Sequence, residues 1–211
     1  MVRRDPLHLP RHAEHSMGMS ARSELRKQWT LEEVRALRNS TTGGTRYELV
    51  DGELLVTPAP SGIHQLAVQL LCAALYPYVR VQRLGLASLA PRDVDPEPDR
   101  SVQPDVFVVP PDEIERFRGG DPVERLLLAA EVLSPSSARA DRVKKRALYQ
   151  RNRVSEYWIV DPDARIVERW RPDDDRPDVL ATRIDWLPVG ASAPFTLDLV
   201  AYFAEVFGDD A

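Results

Sequence analysis

Two carboxylates sit where carboxylates are costly. Glu131 interrupts the apolar run Leu126–Leu133, and Asp105 follows Pro104 inside the valine-rich stretch Val102–Val109. A charge buried in an apolar strand destabilises the fold unless it is paired or binds a cation. A lysine within reach, Lys145, completes a compact set. Hard cations such as Mg2+ or Mn2+ prefer oxygen ligands and are typically held by one or two carboxylates, with water and substrate phosphates filling the other positions. A metal held in this way lowers the pKa of a bound water and stabilises charge that builds on phosphorus. An ammonium beside that water orients it or shields the developing anion. The set Asp105, Glu131 and Lys145 therefore meets the requirements of phosphodiester hydrolysis.

The elements that must position these groups are legible around them. Leu126–Leu133 is short and apolar, and the Ser-Pro-Ser-Ser that follows favours a central strand over a buried helix segment. Ser136 or Ser137 can cap a helix running from about Ala138 to Arg151. Glu156–Val160, aromatic and β-branched, reads as a second central strand. The helix doubles back along the sheet, so Lys145, about eight residues in, lies roughly 12 Å back from its start. Its side chain leans toward the helix N-terminus, which returns the ammonium to the level of Glu131. Neighbours on a helix point about 100° apart, so Lys144 and Lys145 cannot face one site. Lys145 shares its face with Asp141, Leu148 and Tyr149 and is expected on the sheet, with Lys144 turned outward.

Upstream, Thr30 and Glu33 form a capping box for a helix ending near Asn39. Tyr47–Val56 is a hairpin around Asp51-Gly52 that carries Glu48 and Glu53 on its two arms. Ser61 caps a helix over Gly62–Arg80, apolar almost all round and expected to be buried. His64 lies in its first turn, where a helix start attracts anions and could meet a phosphate. Gly85–Ala90 is a further strand. Arg165–Trp170 and Val179–Trp186 read as a meander, and Pro194–Phe207 as a short strand and a helix capped by Asp198. Residues 1–27 are polar and unpatterned and are expected to be a disordered tail. A single domain follows over 28–207, then a short tail over 208–211.

Composition excludes some classes. The 211 residues, 43% hydrophobic, suit one domain with a sizeable core. No run of 18 apolar residues predicts a membrane span, and no apolar leader segment is visible. The single cysteine, Cys72, points to a reducing cytoplasm. A net charge of −5 argues against coating nucleic acid by bulk charge. The distribution is uneven, however: Arg139–Arg153 holds seven basic residues against Asp141 alone. Arg142, Lys144 and Arg146 are candidates for a local phosphate-facing patch, and a solvated helix face is the other reading.

Taken together, Pro104-Asp105 and Glu131-Val132-Leu133 resemble the PD-(D/E)XK nuclease motif. The wider run of YELVDGEL, PS with His64, QPDVFVV, EVLSPSS, D-R-x-x-K with Tyr149, and VSEYWIVDP resembles the Uma-two putative restriction endonuclease family over roughly Trp29–Phe207. The resemblance implies an α/β (α+β) core with a mixed central sheet flanked by helices, a divalent metal, and cleavage of nucleic acid, with DNA favoured. It implies a metal held by Asp105, Glu131 and the Val132 carbonyl, with Glu48 and His64 as auxiliary candidates. The lysine slot two residues after the glutamate holds Leu133, and the resemblance moves that lysine to Lys145. A nuclease fold that only binds nucleic acid or a partner protein is the competing expectation, and a homodimer is left open.

Overall fold

The computed structural model describes residues 28–41 and 43–209, so the expected tail over 1–27 falls outside the described residues. Helix α1 (Leu31–Ser40) begins at the capping box: the Thr30 hydroxyl accepts from the Glu33 N–H, and Glu33 reaches back to the Thr30 N–H at 2.9 Å. Thr30→Ala is expected to cost about 1 kcal/mol in urea unfolding, the usual loss when an N-cap is removed. Strands β1 (Arg46–Val50) and β2 (Glu53–Thr57) form the hairpin, closed by Asp51 and Gly52 at φ 51° and 74°. Both turn residues have positive φ, which makes Asp-Gly the natural pair for a two-residue turn.

Helix α2 (Gly62–Val81) is capped by Ser61. It packs one side on the sheet through Ala67, Leu71, Leu75 and Val79, but Ile63, Leu66 and Tyr76 are exposed. The expectation of burial all round is thus corrected, because no element among the described residues covers the second side. Then come β3 (Leu86–Leu89), β4 (Val106–Val109), the short α3 (Ile114–Gly119) and β5 (Leu128–Val132). β4 is shorter than expected: Val102 instead bridges Val94, and Asp105 sits at the mouth of the strand.

After β5, a turn held by Ser134 leads into a helix that widens to π geometry over Ala140–Lys145 and tightens to α4 (Arg146–Arg151). The capping serine is Ser134, not Ser136 or Ser137: its Oγ and carbonyl both accept from the Ser137 N–H, and the carbonyl also accepts from Ala138. β6 (Glu156–Asp161) returns parallel to β5, with Glu131 opposite Ile159. β7 (Ile166–Trp170) and β8 (Asp178–Leu180) complete a six-stranded sheet in the order β3-β4-β5-β6-β7-β8, antiparallel except for β5-β6.

The expected strand Val179–Trp186 is in fact two. The chain bends at Ala181-Thr182, and β9 (Arg183–Trp186) leaves the sheet to pair with β10 (Phe195–Asp198). Trp186 thereby reaches the core, edge-on to Trp158. Asp198 caps α5 (Leu199–Phe207) by accepting from the Ala201 N–H. Gly208 and Asp209, expected in a loose tail, finish that helix: Gly208 adopts φ 71°, the Asp209 N–H bonds Ala204, and its carboxylate pairs with Arg165.

Alternation along the central strands decides which face meets which layer. Leu128, Ala130, Val132, Trp158 and Val160 join the core under α2 and α5. Ala129, Tyr157 and Ile159 face the other way, toward Leu148 and Tyr149 of α4 and Leu55 of the hairpin. Glu131 has the parity of Ala129, so its carboxylate enters the layer between sheet, hairpin and the π-helical turn.

Candidate active site

Three elements converge there. Lys145 Nζ lies 3.0 Å from Glu131 Oε1, 2.8 Å from Glu48 Oε2 and 3.3 Å from Asp141 Oδ1. Glu131 and Lys145 are only 2% and 3% exposed. The Tyr149 hydroxyl donates to the same Glu131 oxygen at 3.2 Å. Glu48 is held from its other side by the Gln103 N–H at 2.7 Å. Asp141 Oδ1 is close enough to Lys145 for a charge contact but has no hydrogen-bond partner among the described residues.

Asp105 ties β4 to β5. Its Oδ2 accepts at 2.9 Å from the N–H of Val132, the residue after Glu131. The same oxygen is 3.2 Å from His64 Nε2, while Oδ1 meets Arg46 Nη2 at 2.5 Å. His64 thus faces a carboxylate, not an open helix terminus.

The electrostatics divide the two acids. Burial alone would raise Asp105, but the His64 hydrogen bond and the charge of Arg46 pull it down to about 2. Burial raises Glu131 well above the usual carboxylate range. Lys145 opposes that shift, but Asp141, Asp105 and Glu48 add to it. Burial raises Asp141 for the same reason. Lys145 runs the other way: burial would lower it, but Glu131, Glu48 and Asp141 outweigh burial and raise it well above 10.5. It is an ammonium at neutral pH and cannot act there as a base. Three carboxylates share one ammonium, so they cannot all ionise without strain.

Glu48, Asp105, Glu131 and Lys145 of the expected set are brought together, with His64 alongside. Val132 joins through its main chain. Arg46 was missed, and Asp141, already placed on the Lys145 face, was given no role in the site. Period-two alternation places Arg46 on the same side of β1 as Glu48, and Asp141 lies one helical turn before Lys145, so both signals were present. The expected basic patch is different in kind. Arg142 pairs with Asp161 and Glu168, and Lys144 pairs with Glu53. Arg151 meets Asp51 and Glu97, Arg153 meets Asp173, and Arg146 lies over the Trp170 ring. The acidic body neutralises most of the basic helix, so Arg142, Lys144 and Arg146 are committed within the chain. Lys144 is turned outward and Lys145 inward, as the helix phase requires.

Residues 31–197 match the model of the Uma2 family, described as "Putative restriction endonuclease". The chain belongs to the Uma2 family. Among solved structures, this Uma2 chain is similar to a putative nuclease belonging to DUF820 from Anabaena variabilis ATCC 29413. The TM-score is 0.66 at 23% identity, covering 84% of this chain and 99% of that one. The likeness shows that the two share a fold, one with a mixed sheet flanked by helices. No curated protein matches the sequence. No helix among the described residues of this Uma2 chain is long and apolar enough to cross a membrane.

Proposed function

We propose that this Uma2 chain is a divalent-metal-dependent endonuclease that hydrolyses phosphodiester bonds of nucleic acid, DNA first. The observation that carries the reading is that Asp105 bonds the main chain of Val132, next to Glu131 on β5, with the Lys145 ammonium 3.0 Å from Glu131. Among the described residues, no three His, Cys, Asp or Glu side chains form a ready metal cage. The donor set still fits Mg2+ or Mn2+, which needs one or two carboxylates and keeps several waters. Charge fits as well. Among the described residues, Glu48, Asp105, Glu131 and Asp141 face two permanently charged cations, Lys145 and Arg46; burial raises Glu131 and Asp141, and the neighbouring carboxylates add to the rise.

Asp105, Glu131 and the Val132 carbonyl would hold the ion, which supplies Lewis-acid stabilisation of the phosphoryl group and an acidified water. Arg46 and His64 keep Asp105 ionised and ready as a ligand. Lys145 fixes one Glu131 oxygen and supplies positive charge next to the reacting phosphate, without exchanging a proton. Tyr149 holds Glu131 against rotation.

The test is nicking of supercoiled plasmid with Mg2+, Mn2+ or chelator. Nicked and linear forms should appear with either metal, vanish in chelator, and be absent with Asp105→Asn. A second reading has one observation in its favour: the near-complete burial of Glu131 and Lys145 makes a closed ion network of the kind that specifies a fold. On that reading the protein binds DNA equally well in chelator and never cuts.

A further inference from the structure

The described residues enclose a cleft of about 630 Å³ that ends on Asp105. Asp105, Arg46 and His64 are among its lining residues, and the nearly fully buried Glu131 and Lys145 are not. The walls are of two kinds. Pro60, Leu89 and Pro91 present apolar surface, and Tyr47 adds an aromatic ring. The lining also includes Gln65 and Gln69, one helical turn apart on α2 and so on one face. Neither glutamine amide makes a hydrogen bond to the described residues, and both side chains are exposed.

A further polar group is left unused. The His64 side chain is nine-tenths buried, and its Nδ1 has no partner. Nε2 is engaged with Asp105, so Nδ1 is the ring nitrogen left for a ligand. An orphan buried polar atom in a native protein calls for an explanation, and a ligand group is one.

We propose that this cleft receives one unpaired nucleotide of the substrate strand, so that the favoured substrate is single-stranded or locally unpaired DNA, not intact duplex. This rests on the nuclease reading above. The size lies within the range of sites that enclose a small molecule, and a base enclosed in such a cleft has left the duplex stack. Apolar and aromatic walls stack on any base face, and two free amides can bond base edges. His64 Nδ1 would meet a polar group of the same nucleotide. Charge agrees: the basic side chains from Arg142 to Arg153 that would follow a duplex backbone are mostly paired with carboxylates of the chain.

The experiment uses the full chain with Mn2+ and three end-labelled DNAs of one sequence: single-stranded, duplex with one unpaired nucleotide, and perfect duplex. The two unpaired substrates should be cut at least tenfold faster than the perfect duplex, with cuts next to the unpaired nucleotide. Gln65→Ala/Gln69→Ala, with its melting temperature confirmed, should lose at least fivefold on the unpaired substrates and change little on the duplex. Equal cutting of all three DNAs overturns the cleft assignment and leaves the nuclease reading intact. Unpaired preference that the double variant does not alter overturns the role of this cleft. Failure to cut any of them overturns both readings.

Discussion

Lys145→Met should abolish cleavage and cost on the order of 3–5 kcal/mol of stability at neutral pH, the usual penalty for leaving buried charges without their partner. Glu48, Glu131 and Asp141 all meet this one ammonium. Lys144→Ala, one position away, loses only a half-exposed pairing with Glu53 and should cost less than about 1 kcal/mol while still cutting. The pH dependence gives the mechanism. Glu131 is raised in the folded state, so its share of stability is present below its ordinary 4.5 and is lost as pH rises through the folded value. Removing Lys145 removes the influence that holds Glu131 down, so the deficit of Lys145→Met should shrink as pH falls from 7 toward 5. Urea unfolding of both variants at the two pH values measures this. A Lys145→Met protein as stable as Lys144→Ala at pH 7 would show that the carboxylates do not depend on the ammonium.

The parts of this site legible in the chain were those with a local signature. Asp105 and Glu131 stand out because each breaks an apolar run. Asp51-Gly52, Thr30, Ser61 and Asp198 stand out because turn and cap chemistry is set by residues a few positions away. Lys145 was placed by helix phase, and that phase survives even though the helix is widened over Ala140–Lys145. Nothing in the composition of ADRVKK announces that widening. A π segment is a rare feature, often found at functional sites, and here Asp141 and Lys145 are both buried within it.

What stayed hidden depends on long-range partners. The acceptors that neutralise Arg142 and Lys144 come from β6, β7 and β2, so a charge run read along the helix overstates the field it projects. The parting of β8 from β9 likewise follows from tertiary packing. Trp186 gains a buried place against Trp158, which local pattern does not encode. Arg46 and Asp141 fall between these cases: each shares a face with a residue already chosen, and alternation or helical spacing would have identified them once Glu48 and Lys145 were fixed.

Asp105→Asn and Glu131→Gln should both weaken Mn2+ binding strongly, yet move metal-free stability in opposite directions. Asp105 titrates at about 2 against an ordinary 3.8, so its ionised form stabilises the fold by about 2 kcal/mol above the unfolded value, a share lost as pH falls toward 2. The asparagine cannot replace that charge beside Arg46 and His64, so Asp105→Asn should unfold at lower temperature at pH 7. Glu131 is the reverse case. Its ionised form is opposed by burial and by Asp141, Asp105 and Glu48, and the neutral amide can still accept from Lys145 and Tyr149 at Oε1. Glu131→Gln should therefore be about 1 kcal/mol more stable than the wild type without metal, with the gain growing as pH rises. Calorimetric Mn2+ titration and metal-free thermal melts at pH 5 and 8 test both halves. Unchanged Mn2+ affinity in both variants would remove these residues from the metal site. A destabilised Glu131→Gln would mean that the Glu131 charge is fully compensated by Lys145, leaving no excess negative charge to draw a cation.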